Sequence, residues 1–84
     1  MKDKVLINLF VPEIDKSYDL FIPIGKKVGN IIVLLNKSVF ELSDGVYYPK
    51  VRNNLYNKDT GLKYELNSTI KDTNIRNGTK LILL

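Results

Sequence analysis

The feature that most constrains the fold is one amphipathic helix set between segments that have the two-residue period of β-strands. Apolar residues of the central segment recur at intervals of three and four: Val28, Ile31, Ile32, Leu35, Val39 and Leu42. This spacing places them along one face of a helix. A chain of 84 residues can bury one core, and this helix is the only long one in the pattern. The sequence therefore predicts a two-layer α+β domain with the helix packed on one face of a sheet.

Two strands are predicted before the helix, in the segments KVLINLF and YDLFIPI. Pro12 and Asp15 lie between them as turn residues, which indicates a hairpin. Alternating residues of both strands are expected to face the helix: Val5, Ile7 and Leu9 in the first, and Tyr18, Leu20, Ile22 and Ile24 in the second. Pro23 is compatible with the end of a strand, because it cannot donate a ladder hydrogen bond.

After the helix, which Gly45 is predicted to end, the pattern returns to strands. Thr69 and Asp72 have the spacing of a capping box and predict a single helical turn. Three strands are expected in this half: residues 47–57 starting after Pro49, residues 62–66, and residues 79–84. The last strand is predicted to lie parallel to the first in the sheet centre, because this buries Leu81 and Leu83. No linker or repeat is evident, so residues 1–84 are interpreted as one domain.

The composition argues against catalysis. The chain contains no His and no Cys, and no nucleophile is placed beside a base. We expect no enzyme activity, no cofactor and no metal ion. The segment GKKVGN could offer an anion site at the helix start, but an ordinary loop is the favoured interpretation.

The net charge of +4 comes mainly from scattered lysines. A nucleic-acid-binding protein usually concentrates its basic residues on one face, so no nucleic acid is expected. No apolar run approaches the ~18 residues of a membrane span, and the first residues do not form a signal peptide. We therefore expect a cytoplasmic protein with no membrane insertion.

The second half of the chain resembles a known family. The segment STIKDTNI is similar to the ubiquitin stretch that forms a short helical turn, with matches at Thr69, Ile70, Asp72, Asn74 and Ile75. The longer stretch LKYELNSTIKDTNIRNGTKLILL resembles the small bacterial ubiquitin-like proteins of the YukD/EsaB family, with matches at Ile75, Asn77, Gly78, Leu81 and Leu84. SYDLFIPI is similar to the second strand of that family, at Tyr18, Asp19, Leu20 and Pro23.

This resemblance implies a β-grasp (ubiquitin-like) fold, with a mixed sheet and one long helix on one face. It also implies a non-enzymatic accessory or regulatory component of the type VII (WXG100) secretion machinery of Gram-positive bacteria. The expected partners are proteins, namely cytosolic parts of that machinery, and a weak homodimer is left open. Two alternatives remain: an RNA-binding domain, and a ubiquitin-like modifier or sulfur carrier. Carriers act through a C-terminal Gly-Gly, whereas this sequence ends in Leu83 and Leu84, so conjugation is not expected.

The strand alternation also predicts a contact surface on the side of the sheet away from the helix. Phe21 takes the outward parity on the second strand, whereas Asn53 would face inward on the third. The candidate partner-binding residues are Leu6, Phe10, Arg52, Tyr56, Ile82 and Leu84. We expect them to form one contiguous apolar patch, with Ile82 between Leu6 on one side and Arg52 or Tyr56 on the other. Contiguous exposed apolar patches usually mark contact surfaces.

Overall fold

The computed structural model describes residues 3–84, so residues 1 and 2 of the predicted domain lie outside the described part. A four-stranded sheet has the strand order β2-β1-β4-β3. The elements are β1 (Lys4–Val11), β2 (Lys16–Pro23), α1 (Val28–Leu42), β3 (Leu55–Asn57) and β4 (Lys80–Leu83), with 3-10 turns at Pro12–Ile14 and Ile70–Asp72.

The last strand lies in the sheet centre, as the sequence predicted. β4 pairs in parallel with β1, with Leu9 opposite Leu81, and antiparallel with β3, with Leu55 opposite Leu83. All four of these side chains are buried on the helix side. The first and last parts of the chain therefore form the middle of one core.

The predicted hairpin is also confirmed. β1 and β2 pair over eight residues, from Lys4 opposite Pro23 to Val11 opposite Lys16. Asp15 closes the turn in the left-handed conformation, with φ of 52°, and its N–H donates to the carbonyl of Pro12. An aspartate tolerates this conformation better than most residues that have a Cβ.

Helix α1 covers the sheet with the predicted apolar face. Val28, Ile31, Ile32, Leu35 and Val39 are buried, as expected. The expectation for Leu42 is wrong, because this last helical residue borders an open groove and stays 52% exposed. Within residues 3–84, no helix combines the length and apolar content that crossing a membrane would require.

The start of α1 is stabilised from a distant part of the chain. The helix has no side-chain cap; instead the N–H groups of Val28 and Gly29 donate to the carbonyls of Ser68 and Leu66, at 2.8 and 3.0 Å. This explains why the sequence shows no capping residue there. It also argues against an anion at this helix start, because N–H groups that an anion would need are already bonded.

The C-terminal end of α1 differs from the prediction by one residue. Asp44 takes the left-handed conformation, with φ of 53°, and its N–H donates to Glu41. The N–H of Gly45, which follows with φ of 80°, donates to the carbonyl of Phe40 at 2.9 Å. These two bonds satisfy helix-end carbonyls as a Schellman motif does. Gly45 thus helps to end the helix, but Asp44 occupies the position predicted for it.

The third predicted strand is much shorter than expected. Of residues 47–57, only Leu55–Asn57 pair with β4 as a strand. The preceding residues form a loop that bonds to the side chain of Asn36 on α1. A buried amide that accepts and donates several hydrogen bonds competes with ladder pairing for this segment.

The fourth predicted strand, at residues 62–66, is wrong. This segment makes a single bridge, between Lys63 and Tyr56. Beyond the bridge the chain turns towards the start of α1, where the carbonyl of Leu66 accepts from Gly29. The segment therefore caps the helix instead of extending the sheet.

The helical turn at Ile70–Asp72 is confirmed, but its predicted capping box is wrong. The side chain of Thr69 makes no cap hydrogen bond, and Thr69 instead forms a bridge with Lys27. The hydroxyl of Thr73 closes the turn by donating to the carbonyl of Ile70 at 2.6 Å.

Truncation of the buried helix face gives a test of this packing. We expect Leu35→Ala to lower the free energy of unfolding by about 2–5 kcal/mol, through lost burial and the resulting cavity. Leu34→Ala removes the same atoms from the neighbouring position, which is 44% exposed, and should cost much less. Urea unfolding followed by circular dichroism measures both. Equal losses for the two variants would contradict the packing described here.

Candidate protein-interaction surface

An apolar row crosses the outer face of the sheet, away from α1. Ile82 of β4 lies directly opposite Phe10 of β1 and Tyr56 of β3. The prediction that Leu6 flanks Ile82 is wrong, because the parallel register brings Phe10 to that position. Leu6 lies four residues away along β1, about 13 Å, and pairs with Phe21 of β2.

A polar row divides the apolar surface that the sequence predicted as contiguous. Asn8 pairs with Asp19 on one side and with Lys80 on the other. The amide of Asn8 donates to the carboxylate of Asp19 at 3.1 Å. This row separates Leu6 and Phe21 from the apolar residues at the other end of the face. We call the latter group the sheet-face cluster; it consists of Phe10, Tyr56, Ile82 and Leu84.

Leu84 extends the sheet-face cluster beyond the end of β4. Its N–H donates to the carbonyl of Asn54 at 3.0 Å, and its carbonyl accepts from the N–H of Asn54 at 2.8 Å. The backbone is thus held in the ladder through this residue, while the side chain remains 61% exposed. Arg52 was expected on the third strand but lies before it, in the loop. It borders, together with Leu84, a cavity of about 180 Å³.

Lysines lie beside the sheet-face cluster. The Nζ atom of Lys58 lies 4.8 Å from the centre of the Phe10 ring, in a cation–π contact. Strand pairing places Lys63 beside Tyr56 and Lys80 in the polar row, and a further lysine, Lys4, at the far end of the same face. Asp19 is the acidic residue that pairing places beside them. The outer face therefore combines apolar side chains with a positive potential.

The role of Lys58 could not be predicted from the sequence pattern. This residue follows β3 and is outside any strand, and its N–H donates to the carbonyl of Lys80 at 2.9 Å. This backbone bond to β4 positions Lys58 so that its side chain lies over Phe10 of β1. Only the three-dimensional pairing of β3 with β4 reveals this position.

Asn36 connects the loop between α1 and β3 to the helix. Its Oδ1 atom accepts from the hydroxyl of Tyr47, the N–H of Lys50 at 3.0 Å and the amide of Asn53 at 3.2 Å. Its Nδ2 atom donates to Ile32 and to Asn53. Asn53 thus faces inward, as predicted. Asn36 itself lies four residues after Ile32 on the buried helix face, a position that could have identified it from the sequence.

The ionisable groups of this loop are shifted by their surroundings. Burial raises the pKa of the Tyr47 phenol above its usual 10.0, while the hydrogen bond with Asn53 opposes the shift. The ion pair with Glu13, at 2.6 Å, raises the pKa of Lys50. Because both partners are substantially exposed, this pair stabilises the fold little. Tyr47 and Asn36 thus contribute more than Lys50 to fixing the loop.

Similarity to solved structures decides the fold. The chain superposes on the ubiquitin-like domain of EccD5 from Mycobacterium xenopi with a TM-score of 0.78, at 17% identity, over 96% of this chain and 92% of that chain. The ubiquitin-like domain of the type VII secretion protein EccD1 from Mycobacterium tuberculosis gives a TM-score of 0.76, at 11% identity, over 96% and 97% of the two chains.

The fold is the ubiquitin-like β-grasp. A third match, to a chain of the ESX-5 inner membrane complex, has a TM-score of 0.70 at 14% identity and covers 98% of this chain but 21% of that one. Neither the family models nor the curated proteins gave a match. The likeness therefore establishes the β-grasp and includes ubiquitin-like domains of type VII secretion components.

The surfaces of this domain are better suited to a protein partner than to a metal ion. Among residues 3–84, no cluster of three acidic side chains is arranged to hold a metal ion. The sheet-face cluster instead presents half-buried and exposed apolar groups with lysines beside them. Such a surface is suited to another protein, whose apolar side chains would bury Ile82 and whose acidic groups would meet the lysines.

The buried phenol of Tyr47 gives a pH-dependent test of the loop. Its pKa is raised in the folded state, so its stabilisation is complete below pH 10 and is lost as the pH rises through the folded-state value. We expect Tyr47→Phe to lower the free energy of unfolding by about 1–2 kcal/mol at pH 8. The difference between the two proteins should shrink at pH 11, measured by urea unfolding. An unchanged difference would contradict the role given to this hydroxyl.

Proposed function

We propose that this protein is a small ubiquitin-like component of a type VII (WXG100) secretion system, of the YukD/EsaB kind, with an accessory or regulatory role in the cytoplasm. It acts by non-covalent protein–protein contact and has no catalytic activity. The observation that carries the proposal is the sheet-face cluster. The likeness to ubiquitin-like domains of EccD proteins supports the choice of secretion machinery.

The sheet-face cluster has the composition that protein contacts favour. Phe10 and Tyr56 flank Ile82, and Arg52 lies at the margin beside Leu84. Aromatic residues and arginine are enriched among the residues that dominate binding energy. Covering the exposed part of one aliphatic side chain contributes a fraction of the roughly 1.5–3 kcal/mol of complete burial. Several such side chains together support a specific contact.

The RNA-binding alternative is less favoured by the arrangement of aromatic rings. Stacking of successive bases requires open aromatic faces close together. The ammonium of Lys58 lies over one face of Phe10, and the exposed ring of Phe21 lies beyond the polar row, away from Tyr56. The basic surface is therefore better matched to acidic groups of a protein partner than to stacked bases.

Two neighbouring substitutions separate contact from folding. Ile82 is half-buried on the outer face, so Ile82→Asp should cost about 1–2.5 kcal/mol of stability, from partial loss of burial and the low strand propensity of Asp. Leu83 is buried in the core, so Leu83→Asp places an unpaired charge there and should unfold the domain. Thermal melting of both variants measures this. Unfolding by Ile82→Asp would show that its side chain is needed for folding and cannot be assigned to binding.

Capture from the source bacterium tests the function. A tagged copy is used as bait, and bound proteins are identified by mass spectrometry. We expect a cytosolic part of a secretion machinery to bind the wild type. The captured amount of this protein should decrease at least tenfold with Ile82→Asp. Phe21→Asp is the matched control, because Phe21 is on the same face but beyond the polar row.

Three results would contradict the proposal. Equal capture by wild type and Ile82→Asp would show that the sheet-face cluster is not part of the contact. Covalent adducts of the tagged copy that survive boiling in detergent would indicate conjugation. Tight binding of single-stranded oligonucleotides with a steep salt dependence would favour the RNA-binding alternative.

A further inference from the structure

We propose that a second copy of this chain binds to an apolar surface on one flank of α1, distinct from the outer face of the sheet. We call this surface the helix-flank patch; it consists of Val33, Phe40, Tyr48 and Val51. The resulting dimer is symmetric, with the same patch on both copies. The inference does not depend on the proposed secretion role.

The helix brings the first two residues together. Val33 and Phe40 are seven residues apart, so they differ by about 20° around the helix axis and lie on one flank. Both point away from the sheet, in contrast to Ile32 and Val39, which precede them by one residue and are buried. A flank that presents apolar side chains at this spacing is suited to contact with another element.

The Asn36 network brings the other two residues to the same flank. Asn36 lies between Val33 and Phe40 along α1, and its Oδ1 atom accepts from the N–H of Lys50. This bond fixes the chain beside the helix just before Val51. On the other side of Lys50, the ring of Tyr48 lies 6.2 Å from the ring of Phe40, centre to centre. The loop therefore adds the Tyr48 ring to the apolar flank of the helix and holds the backbone of Val51 next to it.

The exposed area agrees with a weak dimer. Val51 is fully exposed, Tyr48 and Val33 are 73% and 70% exposed, and Phe40 is 38% exposed. With about 150–250 Å² for an aromatic side chain and less for valine, the helix-flank patch exposes roughly 500 Å². Two copies would bury about 1,000 Å² in total, which is near the lower limit of specific interfaces. This area is in the range of the largest apolar patch of a typical monomer, which is often a contact surface.

The charge distribution favours a second copy here. The protein carries +4, so two copies repel each other most where lysines concentrate. The outer face of the sheet carries Lys4, Lys58, Lys63 and Lys80 against Asp19. The charges around the helix-flank patch are closer to balance: Lys37 and Glu41 lie one turn apart on α1, Lys50 is paired with Glu13, and Arg52, which follows Val51, leaves one positive charge.

Sedimentation equilibrium over about 10 μM to 1 mM tests the proposal. We expect the apparent mass to rise from 9.6 kDa towards twice that value. Val33→Asp and Val51→Asp should each weaken association about 100-fold or more, because each substitution enters a symmetric interface twice. Leu34→Asp is the matched control, since Leu34 is 44% exposed but lies on the opposite flank of α1, beside Pro23 of β2, and it should change nothing.

Salt gives a second, independent readout. Raising NaCl from 50 to 500 mM should leave the dimer unchanged or stabilise it, because salt screens the net repulsion between copies. A wild type that stays monomeric at 1 mM would overturn the proposal, and so would a dimer that tolerates both Val33→Asp and Val51→Asp. A dimer lost with Ile82→Asp would place the contact on the sheet, and one lost with Tyr18→Asp would place it at the free edge of β2. Melting curves of all variants confirm that they remain folded.

Discussion

The parallel pairing of β1 with β4 is the contact on which the rest of the structure depends. It joins segments about seventy residues apart in sequence and sets the register of both faces of the sheet at once. On the inner face it places Leu9 beside Leu81 under the helix. On the outer face it places Phe10 beside Ile82. A shift of one residue would exchange these two sets, because side chains alternate along a strand. The register of β1 with β4 therefore determines both the core and the candidate contact surface.

The fold could be predicted from the sequence because its signals are periodic. The helical spacing of Ile31, Leu35 and Val39 and the alternation in β1 and β4 each have one interpretation, and burial enforces both. What could not be predicted depends on contacts between distant segments. The start of α1 is capped by carbonyls of Leu66 and Ser68, which leave no local signature.

The residues of the candidate site were also predicted only in part. Alternation correctly assigned Phe10, Tyr56 and Ile82 to the outer face, since parity depends on the strand alone. The neighbours of Ile82 depend on register, which the sequence did not specify, and Leu6 was placed there wrongly. Arg52 was assigned to a strand that the loop replaces, because the hydrogen bonds of the Asn36 amide compete with ladder pairing. The order and direction of the strands were predicted correctly, including Tyr56 beside Ile82, whereas the exact register of β1 with β4 and the length of β3 were not.

Asn36 explains why the loop adds apolar side chains to the flank of the helix. A buried amide left without partners would cost about 1–3 kcal/mol, so the loop that satisfies it must stay against the helix. Holding Lys50 and Asn53 there leaves Tyr48 and Val51 on the outside, where they cannot reach the core. The polar network therefore stabilises one conformation of the loop at the expense of exposing apolar groups. Lysines lie beside the apolar cluster of the sheet, whereas charges beside the helix flank are closer to balance. Under the two proposals made above, this difference would let one small domain bind an acidic partner and its own copy through separate surfaces.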